Sequence, residues 1–518
     1  MVVFGIRIAT CLAGLAGVAF VTKQANHRTD EQAMLAVQTR LEIDTQHTTA
    51  EVDPRFLSVA IDMANVVGGQ FWDPSRQAAA MGTAKVPAYD FDRPQLRYLA
   101  SQLAPAYLRI GGTDADRVIY DLDSRAPPAP SGSYKLSRAR WDAVNHFAAD
   151  LDLRIIFTLN AGALSRNSEG RWNPETAKPL LADARAHNYP VDVWELGNEL
   201  NVYPLIHGQY LSPSGYADDM QVARWLVDEI TPHARLAGPA VAFWPLVGEG
   251  LPFAKRFMKN GGHLLDIITW HYYPQQSFRC PVATNRAHAG QVLRPSELQD
   301  VDRWAGFVEG LRTQYGPSAQ TWLGETGGAQ CGGEPELSDR FGSSLWWVDE
   351  LGRMARRGQR VVVRQTLSGG DYGLIDDKTL APNPDYWASL LWRRLMGTKV
   401  LAVSAQTPSA VQAYAHCQAG APGAVAMALV NVHPSQPIKV DLPPLGERAE
   451  VYLVQADGLR AKEVALNGIP LRLAADGKLP QLHPQELITP DGSGFALRVP
   501  ALAYAFVVLP QANATACH

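Results

Sequence analysis

The feature that most constrains this chain is a series of eight short apolar runs, each closing on polar residues and separated from the next by a longer stretch of helical period. The runs occupy 56–62 (FLSVAID), 106–112, 154–160, 191–199, 235–241, 267–273, 321–327 and 360–368. Short apolar runs of this kind read as buried parallel strands, and amphipathic segments such as 141–150, 216–230 and 337–357 as the helices covering them. Eight alternating units predict an α/β fold, a (β/α)8 TIM barrel over 51–396. A doubly wound sheet is the alternative, but no G-x-G-x-x-G turn follows the first run. The runs end in Asp62, Gly111-Gly112-Thr113, Asn160, Asn198-Glu199, His271-Tyr272-Tyr273, Glu325 and Gln365. In a barrel those ends form the rim that carries the chemistry.

After 397 the texture changes to short alternating strands with turn signals, which predicts a β-sandwich over 397–518. An early alternating segment, 34–50, has no place in the barrel and is expected to join that sandwich. Ahead of it, 1–22 carries Arg7 and then an uncharged run from 8 to 22, short for a membrane span and suited to a secretory leader or an uncleaved anchor. A polar tether, 23–33, follows. Export, to the periplasm or the medium, is the expected localisation. A formal net charge of -4, with 46% apolar and 19% charged residues, excludes a disordered chain, a polytopic membrane protein and a grossly basic nucleic-acid binder.

Outside the leader stand Cys280, Cys331, Cys417 and Cys517, with no C-x-x-C spacing to suggest zinc or a dithiol centre. A Cys417–Cys517 bridge would pin the closing strand of the sandwich to its own domain. Cys280 and Cys331 fall on neighbouring rim loops and would fix them if bonded; two separate thiols are the alternative. No metal and no cofactor are expected.

Two glutamates carry the chemical signal. Glu199 lies in WELGNELN at the end of the fourth run and Glu325 in WLGETGG at the end of the seventh. Strands four and seven face one another across a barrel mouth, so their side chains can converge on one ligand. Two convergent carboxyls suit glycoside hydrolysis, one donating a proton to the leaving oxygen and the other attacking the anomeric carbon. Short strand ends favour a spacing of about 5 Å, the retaining geometry. Glu195, in the same stretch, reads as a carboxylate in a structural salt bridge. Asn198 is placed to bond a sugar 2-hydroxyl; Asn160 either does similar work or caps a loop. Tyr273 can touch the nucleophile side, and His271 either orients the sugar or is a satisfied core histidine.

The segments YLRIGGTDAD, WELGNELN, TWHYYP, WLGETGGAQCGG and DYGLIDDKTLAPNPDYWASLLWRRLMG resemble, in chain order from 56 to 397, the heparanase-like β-glucuronidases of glycoside hydrolase family 79. The resemblance implies Glu199 as general acid/base and Glu325 as nucleophile. It implies sugar or uronate contacts from Asp62, Asn65, Thr113, Asn198, Gln365 and Tyr372, and backbone N–H groups of Gly332 and Gly333 receiving the uronate carboxylate. The sequence departs from the family pattern at Leu200, which stands where a proline is usual, and at Cys331, where a glycine is expected. Segment 121–135 lacks the long insertion that resembles an excised linker, so no internal cleavage is expected. The implied function is a retaining endo-β-glucuronidase on heparan-sulfate-type chains, with an exo-acting variant or a non-catalytic glycosaminoglycan-binding protein as alternatives. An acidic polysaccharide is then the partner, with no nucleic acid and no obligate protein partner. Trp172, His207, Tyr210 and loop 279–294 are expected to line further subsites, and arginines such as Arg279, Arg286 and Arg294 to meet sulfate, while those on 337–357, Arg340 among them, are expected on a solvated helix face rather than at sulfate.

Overall fold

The computed structural model describes residues 37–518 except 74–81, 127, 250–251, 408–410 and 491–492. The leader, the tether and the first residues of the early strand lie outside the described residues. Strand β1 is Val37–Glu51. Eight βα units follow. The strands are β2 Leu57–Asp62, β3 Ala106–Gly111, β4 Leu153–Leu159, β5 Val191–Leu196, β6 Arg235–Phe243, β7 Ile267–Tyr272, β8 Gln320–Thr326 and β9 Val362–Arg364. The helices are α1 Pro94–Ser101, α2 Arg138–Asp150, α3 Lys178–Ala186, α4 Pro213–Ile230, α5 Ala254–Gly261, α6 Pro295–Tyr315, α7 Phe341–Arg356 and α8 Pro384–Leu395. The eight strands pair in parallel and close into a barrel, which buries both faces of each strand and explains their near-continuous apolar character.

Strand periodicity divides the barrel interior into storeys. The floor is apolar: Ala60, Tyr107, Ile156, Val193, Ala237, Ile267, Trp322, Val361 and Val363 form one buried cluster. Two residues further along, where side chains point inward again, the strands present Asp62, Arg109, Thr158 and Glu195, all buried. The packed floor therefore carries a polar layer directly beneath the rim.

Local irregularities aim the rim residues. In β8 Leu323 pairs with Trp270 and Glu325 with His271, leaving Gly324 as an extra residue. Without this bulge Glu325, three residues beyond inward-facing Trp322, would point outward; one inserted residue turns it into the mouth. In β6 the pairing likewise skips Ala240, whose carbonyl accepts the Glu199 N–H at 2.8 Å. Both catalytic-face glutamates are thus set by bulges.

The C-terminal strands are β10 Met396–Ala405, β11 Gln412–Gln418, β12 Val425–Asn431, β13 Ile438–Leu442, β14 Arg448–Gln455, β15 Phe495–Val499 and β16 Ala503–Leu509. Strand β1 joins them: its first residues run parallel to β13, and from Leu41 onward it runs antiparallel to β10. The inner faces enclose a second core containing Leu41, Val425, Met427, Leu429, Val440, Leu497, Val507 and Leu509. Alternate residues of β12 and β16, among them Ala426, Ala428, Val430, Tyr504 and Phe506, pack with the helices of the barrel core. Helix α7 lies at this junction, and every residue from Phe341 to Ala355 is buried. The expected solvated arginine face on 337–357 holds for Arg356, which is exposed, but not for Arg353, which is buried on Asp349 and Asp302 at 2.6 Å each. Disulfides join Cys280 to Cys331 and Cys417 to Cys517.

Candidate active site

The rim encloses a cavity of about 280 Å3 whose wall includes Asp62, Thr113, Asn198, Glu199, Tyr273, Glu325, Gln365 and Tyr372. Glu199, His271 and Glu325 each bring one side-chain atom within 4.8 Å of the others. The two carboxyls are therefore at the separation of a nucleophile and its acid/base partner, closer than an inverting pair that must hold a water between them.

Glu325 is gripped at both oxygens. Tyr273 donates to Oε1 at 2.7 Å and Arg109 Nη1 to Oε2 at 2.7 Å. Burial pushes this carboxyl up, but His271, Arg109 and the two hydrogen bonds outweigh it and hold it below the ordinary glutamate range. An ionised carboxylate beside the anomeric carbon is what a nucleophile requires. The same guanidinium donates to Glu195 Oε2 at 3.0 and 2.8 Å and to Asn198 Oδ1 at 2.9 Å. Thr158 completes the layer by donating to Glu195 at 2.8 Å. Glu195 is accordingly a salt-bridged structural carboxylate.

Glu199 occupies the left-handed region at φ 54, ψ 52, a conformation costly for a non-glycine residue and frequent at functional sites. The loop holding it is fixed by Asp116, which accepts the Asn198 N–H at 2.9 Å, and by the Ala240 carbonyl. His271 Nδ1 lies 3.2 Å from Glu199 Oε1 and 4.0 Å from Glu325 Oε2; it sits between the carboxyls and positions them rather than meeting sugar. This trio also has metal-ligand atom types, but a divalent cation there would face the Arg109 guanidinium already paired to Glu325. The donor set is an acid–base cluster.

On the opposite wall Asp62 Oδ1 caps the turn after β2 by accepting Ala64 N–H at 2.9 Å. Gln365 Nε2 lies 3.5 Å from Asp62 Oδ2 and 3.4 Å from the Tyr372 hydroxyl. Burial raises both Asp62 and Tyr372 well above their ordinary values, and the Tyr372 hydroxyl keeps its proton for donation. Gly112, at φ +85, lies so close that a Cβ there would meet Asp62 Oδ2 at 2.0 Å; only glycine lets the aspartate stand.

Other expected contacts fall elsewhere. Asn160 is a loop cap: it donates to Val118 O and accepts Gly162 N–H, so no polar end is left for sugar. Asn65 is buried in the turn after β2, its amide against Gly369, and does not reach the wall. Cys331 lines the cavity, but Gly332 lies behind Trp72 and Gly333 against the Tyr372 backbone. Trp172 is buried and donates to Asn160 O, and His207 packs on Tyr203. Arg279 is buried on Asp371 at 2.6 Å, and Arg286 is spent on the Ser277 and Cys280 carbonyls; both brace loops and neither reaches for sulfate. Arg109 was not singled out by the sequence reading, although an arginine centred in an apolar run, in phase with Glu195 across the barrel, is a signal for it. The wall residues Phe71, Trp72, Leu205, Trp244 and Val282 also carry no sequence signal.

The family model described as Glycosyl hydrolase family 79, N-terminal domain, matches residues 38–352. Heparanase-like protein 1 of Arabidopsis thaliana is 31% identical, covering 84% of this chain and 88% of that protein. Heparanase of Mus musculus is 30% identical over 92% of this chain and 94% of its own length. Baicalin-beta-D-glucuronidase of Scutellaria baicalensis is 28% identical over 90% and 91%. Among solved structures, the GH51 arabinofuranosidase of Xanthomonas axonopodis pv. citri superposes with a TM-score of 0.66 at 14% identity, covering 91% of this chain and 100% of that one. That likeness is one of fold.

Proposed function

The chain belongs to glycosyl hydrolase family 79, and from that premise we propose that it is an exported, retaining endo-β-glucuronidase acting on acidic, heparan-sulfate-type polysaccharides. The observation that carries the reading is the buried Glu199–Glu325 pair, with the nucleophile's charge held by Arg109 and Tyr273. Glu325 attacks the anomeric carbon while Glu199 gives its proton to the departing glycosidic oxygen. Glu199 then takes a proton from water, which displaces the Glu325 ester with net retention. Asn198, oriented by Arg109, is placed to bond the 2-hydroxyl as charge develops. Pure binding requires no such pair, which argues against a non-catalytic binding protein. The substrate class is supported by the heparanases among the relatives, and export by the uncharged run after Arg7.

Proton NMR of the first-formed product tests the mechanism: the β-anomer is expected, and the α-anomer would overturn it. Product sizes from heparan sulfate separate endo action, which gives mid-length fragments, from exo action, which releases single uronates. Tyr372 is the donor proposed to read the uronate. Tyr372→Phe should lower kcat/KM on aryl β-glucuronides by about 10- to 100-fold, as for a lost hydrogen bond to a charged group, and much less on the matching glucosides. Equal losses on both would make Tyr372 structural.

A further inference from the structure

The cavity wall carries apolar side chains on both sides, Phe71 and Trp72 after β2 among them, but its polar sugar-facing groups are gathered on one. On the side of β2, β8 and β9 stand the sugar-bonding groups Asp62, Gln365 and Tyr372. On the side of β5, β6 and β7 stand Val202, Leu205, Ile206, Trp244, Pro281 and Val282. Three of these lie on the turn that immediately follows Glu199, and Trp244 follows the neighbouring strand β6 in the barrel. Leu205 and Val282 are 58% and 53% exposed, so each presents uncovered apolar surface at the mouth.

The general acid stands next to the bond it protonates, so the group departing from the anomeric carbon is released on the Glu199 side. The nearest cation on the described wall, Arg117, has its charge balanced by Asp114 at 3.2 Å and a second N–H spent on the Ile206 carbonyl at 3.0 Å. We propose that the leaving-group subsite is apolar, formed by Val202, Leu205, Ile206, Trp244 and Val282, and that it selects glucuronides whose leaving group offers an uncharged apolar face over those bearing sulfate next to the scissile bond. The inference rests on the β-glucuronidase reading and narrows its substrate, within heparan-sulfate-type chains, to stretches whose leaving sugar carries no sulfate beside the scissile bond. An apolar leaving group covers Leu205 and Val282 and gains their burial, whereas a sulfate there loses water and gains no free cation among the described residues of the wall.

The test uses phenyl, 2-naphthyl and 4-sulfophenyl β-glucuronides with the full chain and a Leu205→Ser/Val282→Ser variant. The wild-type chain should favour naphthyl over phenyl by about tenfold in kcat/KM, through KM, the size expected for a few added apolar carbons. It should turn over the sulfophenyl compound less well than phenyl. In the variant the naphthyl-to-phenyl ratio should fall toward one. An absent naphthyl preference, a ratio unchanged in the variant, or a preference for the sulfonate overturns the apolar subsite alone. Failure on all three while heparan sulfate is still cleaved overturns this inference alone; failure on heparan sulfate as well overturns the glucuronidase reading with it. A variant that does not fold, judged by circular dichroism, is replaced by Leu205→Ala and Val282→Ala singly, with the same ratios read.

Discussion

Tyr273 and Arg109 hold opposite oxygens of Glu325, and their removal has different costs. Losing Arg109 leaves Glu195 and Glu325 buried without their cation, so its effect on activity is entangled with folding. Tyr273→Phe keeps the ring and removes one donor to the carboxylate. Because that hydrogen bond lowers the Glu325 pKa, its loss raises it. The acidic limb of kcat/KM should move to higher pH, and activity should drop by about 10- to 100-fold. A pH–rate profile checks this, and an unmoved acidic limb would show that Tyr273 does not set the nucleophile's charge. At this scale the two glutamates were legible because each closes an apolar run in a distinctive local sequence. Arg109 was not, since a strand that is apolar on both sides of it hides a single inward charge. Asn160 ends a run as Asn198 nearly does, but the chain turns at once, and the Gly162 N–H of its own loop and the Val118 carbonyl after β3 take its amide before any ligand can.

Elements carry information that alternation alone does not give. The eight βα units were readable from apolar runs and helical period, and so was the change of texture after 397. The bulges at Ala240 and Gly324 were not: an extra residue leaves composition and period almost unchanged, yet decides which way Glu325 faces. Helix α7 misled for another reason. Its arginines pattern as a wet face, and Arg356 is exposed, but Arg353 is buried, paired with Asp349 and bonded to Gln412 of the sandwich. The Cys280–Cys331 bond joins the loops after β7 and β8, and both cysteines form part of the cavity wall. Replacing both with serine opens a loop of 51 residues, for which chain entropy sets an upper cost of about 4 kcal/mol. The expected outcome is a raised KM for glucuronides together with a lowered Tm. Kinetics on the folded variant at 25 °C separate the two effects, and an unchanged KM would make the bond purely a matter of stability.

Across the whole molecule several enclosed acids are displaced upward by burial. Burial raises Asp114 to about 6, Asp116 and Glu249 to about 7, and Glu350 to about 8. Such a carboxyl keeps its proton in the fold and loses it in the unfolded chain, so unfolding releases protons between about pH 4 and 8. Stability falls as pH rises through that window, each tenfold change in proton affinity being worth about 1.4 kcal/mol. Glu325, displaced downward, opposes this only at the acid end, where its own contribution is lost as pH falls. Calorimetry should therefore give a Tm several degrees higher at pH 5 than at pH 8; a Tm equal or higher at pH 8 would mean that these groups are ionised in the fold.

Strand β1 has a consequence in the time domain. Among the described strands it is made before any other, yet its partners β10 and β13 emerge only after the entire barrel, about 350 residues later, or on the order of 20–70 s of synthesis. Through that interval the barrel can close by itself, while β1 waits as a lone strand with both edges open to any passing chain. The sandwich therefore cannot be finished until a strand made before the barrel has been brought to meet strands made after it.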